Sequence, residues 1–82
     1  MSEFIDVELS RSLEIDGASV KTLRLREPTV GDQLASDEAK GSEATKEIVM
    51  LANLCQIAPD DIKRLTLKDY KKLQTAFLSF LD

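Results

Sequence analysis

The segment Leu23–Asp32 constrains the fold of this chain more than any other, because a strand pattern gives way within it to the start of a helix. Leucine and arginine alternate over residues 23–26, the period of two that is typical of a strand with one buried face. Pro28 cannot donate a hydrogen bond to a sheet and disfavours helical angles at the residue before it. Thr29 and Asp32 then have the spacing of a helix N-cap with a carboxylate near the positive helix end. We therefore predict a strand before Pro28 and a helix directly after it.

The residues before this boundary predict a β-hairpin over about residues 5–27. Asp16-Gly17 is a dipeptide suited to the positive backbone angles of a type I′ turn. Before the turn, one parity is shared by Val7, Leu9, Leu13 and Ile15. After the turn, Val20 is out of step with Leu23 and Leu25, and a β-bulge near Ser19–Thr22 is expected to restore the register. Because an isolated hairpin is marginally stable in water, its apolar face must pack on helices or on another chain.

Helical periodicity begins at Thr29 and predicts a helical part over about residues 29–82. A short helix from Val30 is expected to end at Lys40-Gly41-Ser42, with Gly41 as a left-handed cap. A stronger helix follows, and its apolar stripe consists of Ile48, Leu51, Ala52 and Cys55. Pro59 suits the first turn of a short helix over Asp60–Arg64.

A final helix is capped by Thr66 and expected to continue to the end of the chain. Its apolar face is predicted to contain Leu67, Tyr70, Leu73 and Phe77. The fold predicted from these patterns is a single α+β domain over residues 1–82, an N-terminal β-hairpin followed by three or four short helices. Its core is predicted to contain Leu51, Leu54, Leu73 and Phe77.

Composition excludes several classes of protein. Among the 82 residues, 43% are hydrophobic and 32% are charged, which is typical of a folded domain. No apolar run has the roughly 18 residues of a membrane span, and the N-terminus is acidic where a signal peptide is basic, so we expect a cytoplasmic protein without membrane partners. A lone Cys55 and the absence of histidine argue against disulfides, metal sites and acid–base catalysis. No glycine-rich phosphate loop is present either, so neither an enzyme nor a cofactor is expected.

The net charge of −4 is concentrated in the middle of the chain, where residues 27–58 carry six acidic and two basic side chains. Five basic side chains lie near the end of the chain, but Asp60, Asp61 and Asp69 offset their positive charge. Nucleic-acid binding is therefore not expected. The competing interpretation is a small regulatory or structural adaptor, for instance a helix-turn-helix-like nucleic-acid binder formed by Asp60–Leu81.

The last helical turn is unusually apolar. Four large side chains surround nearly the whole helix, and they are our candidate partner-binding residues: Phe77, Leu78, Phe80 and Leu81. One interpretation is a helix that docks on the hairpin. The other is a surface for self-association or for an apolar helix of a partner, flanked by the acidic region over residues 32–47.

Three segments carry a resemblance to a known family. They are Leu25–Asp32 after the Asp16-Gly17 hairpin, the apolar helix around Leu51–Leu54, and Leu65–Leu73. Together they cover about residues 7–73 and resemble the small tail assembly chaperones of contractile-tailed phages, known as proteins E, 41 or 14.

The resemblance implies a non-enzymatic function without a cofactor. Members of that family bind the long, largely helical tape measure protein, keep it soluble and help tail tube subunits polymerise around it. They work in the cytoplasm of the host bacterium and are absent from the mature virion. The resemblance thus implies the tape measure protein as the partner of a phage or prophage protein, and it leaves open contacts with the tail tube protein and with a second copy of the chain.

Overall fold

A computed structural model describes residues 3–82 and has an antiparallel hairpin followed by four helices. The strands are β1 (Phe4–Ile15) and β2 (Ala18–Arg26), and the helices are α1 (Val30–Glu38), α2 (Glu43–Cys55), α3 (Pro59–Lys63) and α4 (Leu67–Ser79). This confirms the predicted α+β class with a hairpin before Pro28.

The hairpin turn has the geometry that its dipeptide favours. Asp16 and Gly17 both have positive φ angles, of 51° and 82°, and Ile15 pairs with Ala18 directly across the turn. Both central residues of a type I′ turn need positive φ, which glycine and aspartate adopt more easily than most residues.

The irregularity in the hairpin lies opposite Val20–Thr22, near where a bulge was expected, but the extra residues belong to β1 and not to β2. Glu8 pairs with Thr22 and Leu13 with Val20, which leaves residues 9–12 of β1 opposite Lys21 alone. The longer strand keeps Leu9 and Leu13 buried on the same side. The extra residues are tolerated in β1 because a carboxylate from α4 accepts hydrogen bonds from the backbone N–H groups of Ser10 and Arg11.

Helix starts follow the predicted caps, whereas helix ends do not. Thr29 and Thr66 each accept a hydrogen bond from the N–H group three residues on, and Pro59 occupies the first turn of α3. Helix α1 ends at an extended Ala39, so Gly41, with a φ of 124°, shapes the turn into α2 and is not a left-handed cap. The left-handed residue is Gln56, which ends α2 with a φ of 59°.

The core lies between the inner face of the hairpin and the helices, with β1 against α4 and β2 against α2. Leu51, Leu54 and Leu73 are buried as predicted, whereas Phe77 is half-buried at the edge of the core. Leu67 is 77% exposed, so its predicted place on the buried face of α4 was wrong. Asp69 takes the buried face instead, and two residues along a helix place Leu67 almost opposite to it. Helix α4 ends at Ser79, short of the chain end that the apolar pattern predicted.

Candidate functional site

The start of α4 is attached to the backbone of β1. Asp69 is fully buried, and its two carboxylate oxygens accept hydrogen bonds from Ser10 N at 2.9 Å and Arg11 N at 3.4 Å. Burial alone would raise the pKa of Asp69, but these hydrogen bonds and the Lys72 ammonium 3.6 Å away outweigh it and lower the pKa to about 2. Lys72 Nζ also donates to Glu8 O at 2.9 Å. These contacts hold α4 in a defined orientation on the hairpin.

One carboxylate joins the middle of α4 to α2. Glu47 accepts a hydrogen bond from the Tyr70 hydroxyl and another from Gln74 Nε2 at 2.8 Å. Burial, together with the neighbouring Glu47 carboxylate, raises the pKa of Tyr70, so the phenol stays protonated and donates. These two hydrogen bonds link α2 to α4.

Between α1, α2 and the end of α4 lies a continuous depression, which we call the acidic groove. Its two halves share Glu47, Met50 and Phe77. The half between α2 and α4 is completed by Leu51, Gln74 and Leu78, and the half beside α1 by Gln33, Ser36, Asp37, Glu43 and Lys46. Apolar side chains form its floor, and charged side chains lie on the wall beside α1.

The charge of the acidic groove comes from Asp37, Glu43 and Glu47, against one ammonium group on Lys46. Asp32 belongs to the same stretch of sequence but is buried away from this surface. Its carboxylate accepts from Arg26 Nη1 at 2.7 Å and Nη2 at 2.8 Å. The Arg26 guanidinium holds the pKa of Asp32 well below its usual range, although burial opposes the shift.

The four candidate partner-binding residues separate into two pairs. Phe77 and Phe80 are half-buried and pack against the core, whereas Leu78 and Leu81 have exposed fractions of 59% and 62%. Of the four, Phe77 and Leu78 line the acidic groove. The two leucines therefore offer exposed apolar surface at the end of α4.

A second exposed apolar surface was not predicted. Val30 and Leu34 of α1 have exposed fractions of 78% and 58%, while Asp32 and Ser36 face inward. Ser36 Oγ donates to Lys46 O at 2.8 Å, so α1 is attached to its surroundings largely by polar contacts. The i, i+4 spacing of Val30 and Leu34 was the available signal, but it predicts an apolar face without deciding whether that face is buried.

A further depression, between β2 and the end of α2, is lined by Phe4, Arg24, Leu54 and Cys55 among others. Cys55 is half-buried, and burial raises the pKa of its thiol to about 12. Such a thiol is protonated near neutral pH and is a poor nucleophile. Residues 3–82 contain no cluster of three or more metal-ligating side chains. None of the helices within residues 3–82 is long and apolar enough to cross a bilayer.

Comparison with known proteins identifies a family. The model of a family described as phage tail assembly chaperone proteins, E, or 41 or 14, matches residues 6–82. No curated protein and no solved structure matches the chain.

Proposed function

The chain belongs to the family of phage tail assembly chaperone proteins E, 41 or 14, and from this membership we propose that it binds the tape measure protein of a phage or prophage. In this role it keeps the tape measure protein soluble while tail tube subunits polymerise around it. The single observation that carries the proposal is the family match, which extends over nearly the whole chain.

The exposed apolar side chains support a function in protein binding. Leu78 and Leu81 at the end of α4, and Val30 and Leu34 on α1, are all more than half exposed. A small domain gains nothing in folding stability from apolar side chains left in water, so this exposure favours a partner that covers them. A tape measure protein with long helices offers apolar surface of this kind.

The same proposal covers location and chemistry. We propose that the protein works in the cytoplasm of the host bacterium, is absent from the mature virion and acts without catalysis or a cofactor. The tail tube protein and a second copy of the chain are further partners consistent with an assembly function.

Co-expression with a fragment of the tape measure protein from the same genome tests the proposal. We expect the unmodified chain to keep the fragment soluble and the Leu78→Asp/Leu81→Asp variant to lose this ability, because a charge at an interface anchor costs about 2 kcal/mol or more. Leu67→Asp is the matched control, since Leu67 is also exposed, at 77%, but lies at the other end of α4. Circular dichroism should show that both variants remain folded.

Phe80, one of the four candidate partner-binding residues, is half-buried against the core. Phe80→Asp would therefore combine loss of binding with loss of stability, and the exposed leucines give the cleaner test. If the Leu78→Asp/Leu81→Asp variant keeps the fragment soluble, the binding surface lies elsewhere. The edge of β2 from Val20 to Arg26 would then be the next candidate.

Gene order separates the chaperone from the regulatory adaptor. A tail tube or sheath gene upstream and a very long tape measure gene downstream support the chaperone, whereas an isolated gene beside a divergent promoter favours the adaptor. In the structure, Arg64 donates to Glu14 O at 2.7 Å and Lys72 to Glu8 O at 2.9 Å. Two of the basic side chains near the chain end are thus bound to the hairpin backbone, which disfavours nucleic-acid binding through them.

A further inference from the structure

We infer that the acidic groove binds an amphipathic helix whose apolar stripe is flanked by lysine or arginine side chains. The inference rests on the proposed function, since it specifies the chemistry of the partner segment. Its basis is the combination of an apolar floor with three carboxylates, of which only Glu43 forms an ion pair among residues 3–82, with Lys46 Nζ at 4.0 Å.

The floor of the groove suits aliphatic side chains. Met50 and Leu51 are buried at its base, and Phe77 and Leu78 form the wall contributed by α4. Methionine adapts to differently shaped partners because its side chain is unbranched and polarizable. Leu78, with an exposed fraction of 59%, would be covered by a bound helix.

The carboxylates on the other wall keep their charge available. Glu47 accepts from a phenol and an amide, which are neutral donors, and Asp37 accepts from the Gln33 amide at 3.0 Å. Glu43 is 4.0 Å from Lys46 Nζ, and its side chain is 95% exposed. By contrast, Asp32 is held by two short hydrogen bonds to Arg26. A cationic flank on the partner would therefore meet Asp37 and Glu47, which form no ion pair among residues 3–82, and Glu43, whose ion pair is long and exposed.

Two other apolar depressions have basic and no acidic side chains in their lining, although Arg24 and Arg26 are bound by Asp6 and Asp32 outside it. The one beside β2 is lined by Arg24 and Arg26 and by no carboxylate, and the one between α2, α3 and α4 is lined by Lys63 as its single charged residue. The acidic groove is thus distinguished from them by charge. Charge complementarity selects one partner flank over another and accelerates association.

The walls of the groove favour a helix over an extended peptide. All of its lining residues belong to α1, α2 and α4. Backbone N–H and C=O groups in the interior of these helices are already bonded within the helix, so an extended segment would find no free sheet edge there. An amphipathic helix satisfies its own backbone and presents side chains at the i, i+3, i+4 and i+7 positions.

Two synthetic helical peptides with the same leucine stripe test the inference, one flanked by lysines and the other by glutamates. Each is titrated into the full chain by isothermal titration calorimetry at low and at high salt. We expect the lysine-flanked peptide to bind at least about tenfold more tightly at low salt, and we expect the difference to shrink at high salt as the charges are screened.

A variant that removes the charge but keeps the shape locates the effect. The groove variant consists of Asp37→Asn, Glu43→Gln and Glu47→Gln, and it should bind the lysine-flanked peptide about tenfold more weakly. The matched control removes three exposed carboxylates outside the groove, by Glu3→Gln, Glu14→Gln and Asp16→Asn, and should change the affinity by less than about twofold. The double variant Asp37→Asn/Glu43→Gln leaves the contacts of Glu47 with α4 intact. It should show part of the loss of affinity for the lysine-flanked peptide that the triple variant shows.

Equal binding of the two peptides, binding of neither, or an equal effect of the control variant would overturn the inference. The co-expression assay separates this result from failure of the proposed function. A chain that keeps the tape measure fragment soluble yet does not discriminate between the peptides retains the proposed function and lacks the inferred preference. A chain that discriminates through the groove but fails to keep the fragment soluble retains the preference and contradicts the proposed function.

Discussion

At the scale of single residues, two identical local motifs have different functions in this fold. Thr29 with Asp32 and Thr66 with Asp69 both begin a helix, and in each the threonine hydroxyl accepts from the aspartate N–H. The Asp32 carboxylate accepts a hydrogen bond from Thr29 N at 2.9 Å, which completes a capping box, and it also forms an ion pair with Arg26. The Asp69 carboxylate instead binds the irregular part of β1. The motif therefore determines where a helix starts, and the surroundings determine what its carboxylate holds.

Asp69→Asn should lower the free energy of unfolding by about 2 kcal/mol near neutral pH, because the lowered pKa of the buried carboxylate measures how strongly the folded state favours its charged form. The folded-state pKa of about 2 lies below the ordinary value of 3.8. The stabilisation is therefore complete above the ordinary value and is lost as the pH falls through the folded-state value. Urea denaturation across this pH range measures it.

The matched control for that prediction is Asp60→Asn, whose side chain is 89% exposed. It should leave both the stability and its pH dependence nearly unchanged. If Asp69→Asn shows the same acid sensitivity as the unmodified chain, another carboxylate is responsible, and Asp32, whose pKa is also lowered, is the first to examine.

At the scale of elements, the hairpin and α1 show which features the local sequence pattern predicts and which it does not. The turn at Asp16-Gly17 depends on backbone angles within two residues, and its geometry follows from local sequence. Helix α1 also begins where its cap indicates, but its apolar residues face outward. Its orientation is decided by the Asp32–Arg26 ion pair and the Ser36–Lys46 hydrogen bond. The spacing of apolar residues in the sequence does not predict either contact.

Gly17→Val should destabilise the protein by about 1–3 kcal/mol, because a β-branched residue adopts a positive φ with difficulty. The φ of Gly17 is 82°, and an added Cβ would meet no atom within 4 Å, so the cost is backbone strain without a clash. Thermal melting measures it. Gly31→Ala is the control, since Gly31 lies inside α1 and its Cβ would sit 3.6 Å from Thr29 Oγ1, an ordinary contact. A neutral Gly17→Val would show that the turn has relaxed to another type.

At the scale of the whole molecule, side chains from the helical part hold the backbone of β1. Asp69, Lys72 and Arg64 bind backbone groups of Ser10, Arg11, Glu8 and Glu14, at sequence separations of 50 residues or more. Together with the core shared by the hairpin, α2 and α4, these contacts couple the two halves of the chain. The hairpin and the helices are therefore expected to unfold as one unit.

Native-state hydrogen exchange should show this coupling at Ser10. Its amide lies in the irregular part of β1, yet it should exchange about as slowly as that of Leu51 in the core, because the Asp69 carboxylate accepts from it. In Asp69→Asn, protection at Ser10 should fall by more than protection at Leu51. Rapid exchange of the Ser10 amide in the unmodified chain would contradict the prediction and indicate that the hairpin opens separately.

Features that depend on neighbours a few residues apart follow from the sequence alone. These are the type I′ turn, the boundary at Pro28, the helix caps and the apolar stripe that buries Leu51 and Leu54, since backbone angles and helical spacing act locally. The apolar end of α4 was visible for the same reason, but its division into half-buried phenylalanines and exposed leucines was not. Tertiary structure alone decided the placement of the bulge, the outward face of α1 and the acidic groove. Each of these depends on contacts between different elements, such as the Asp69 carboxylate with the Ser10 backbone N–H or Glu47 with Tyr70. Such contacts are set by how the helices and the hairpin pack and not by local spacing.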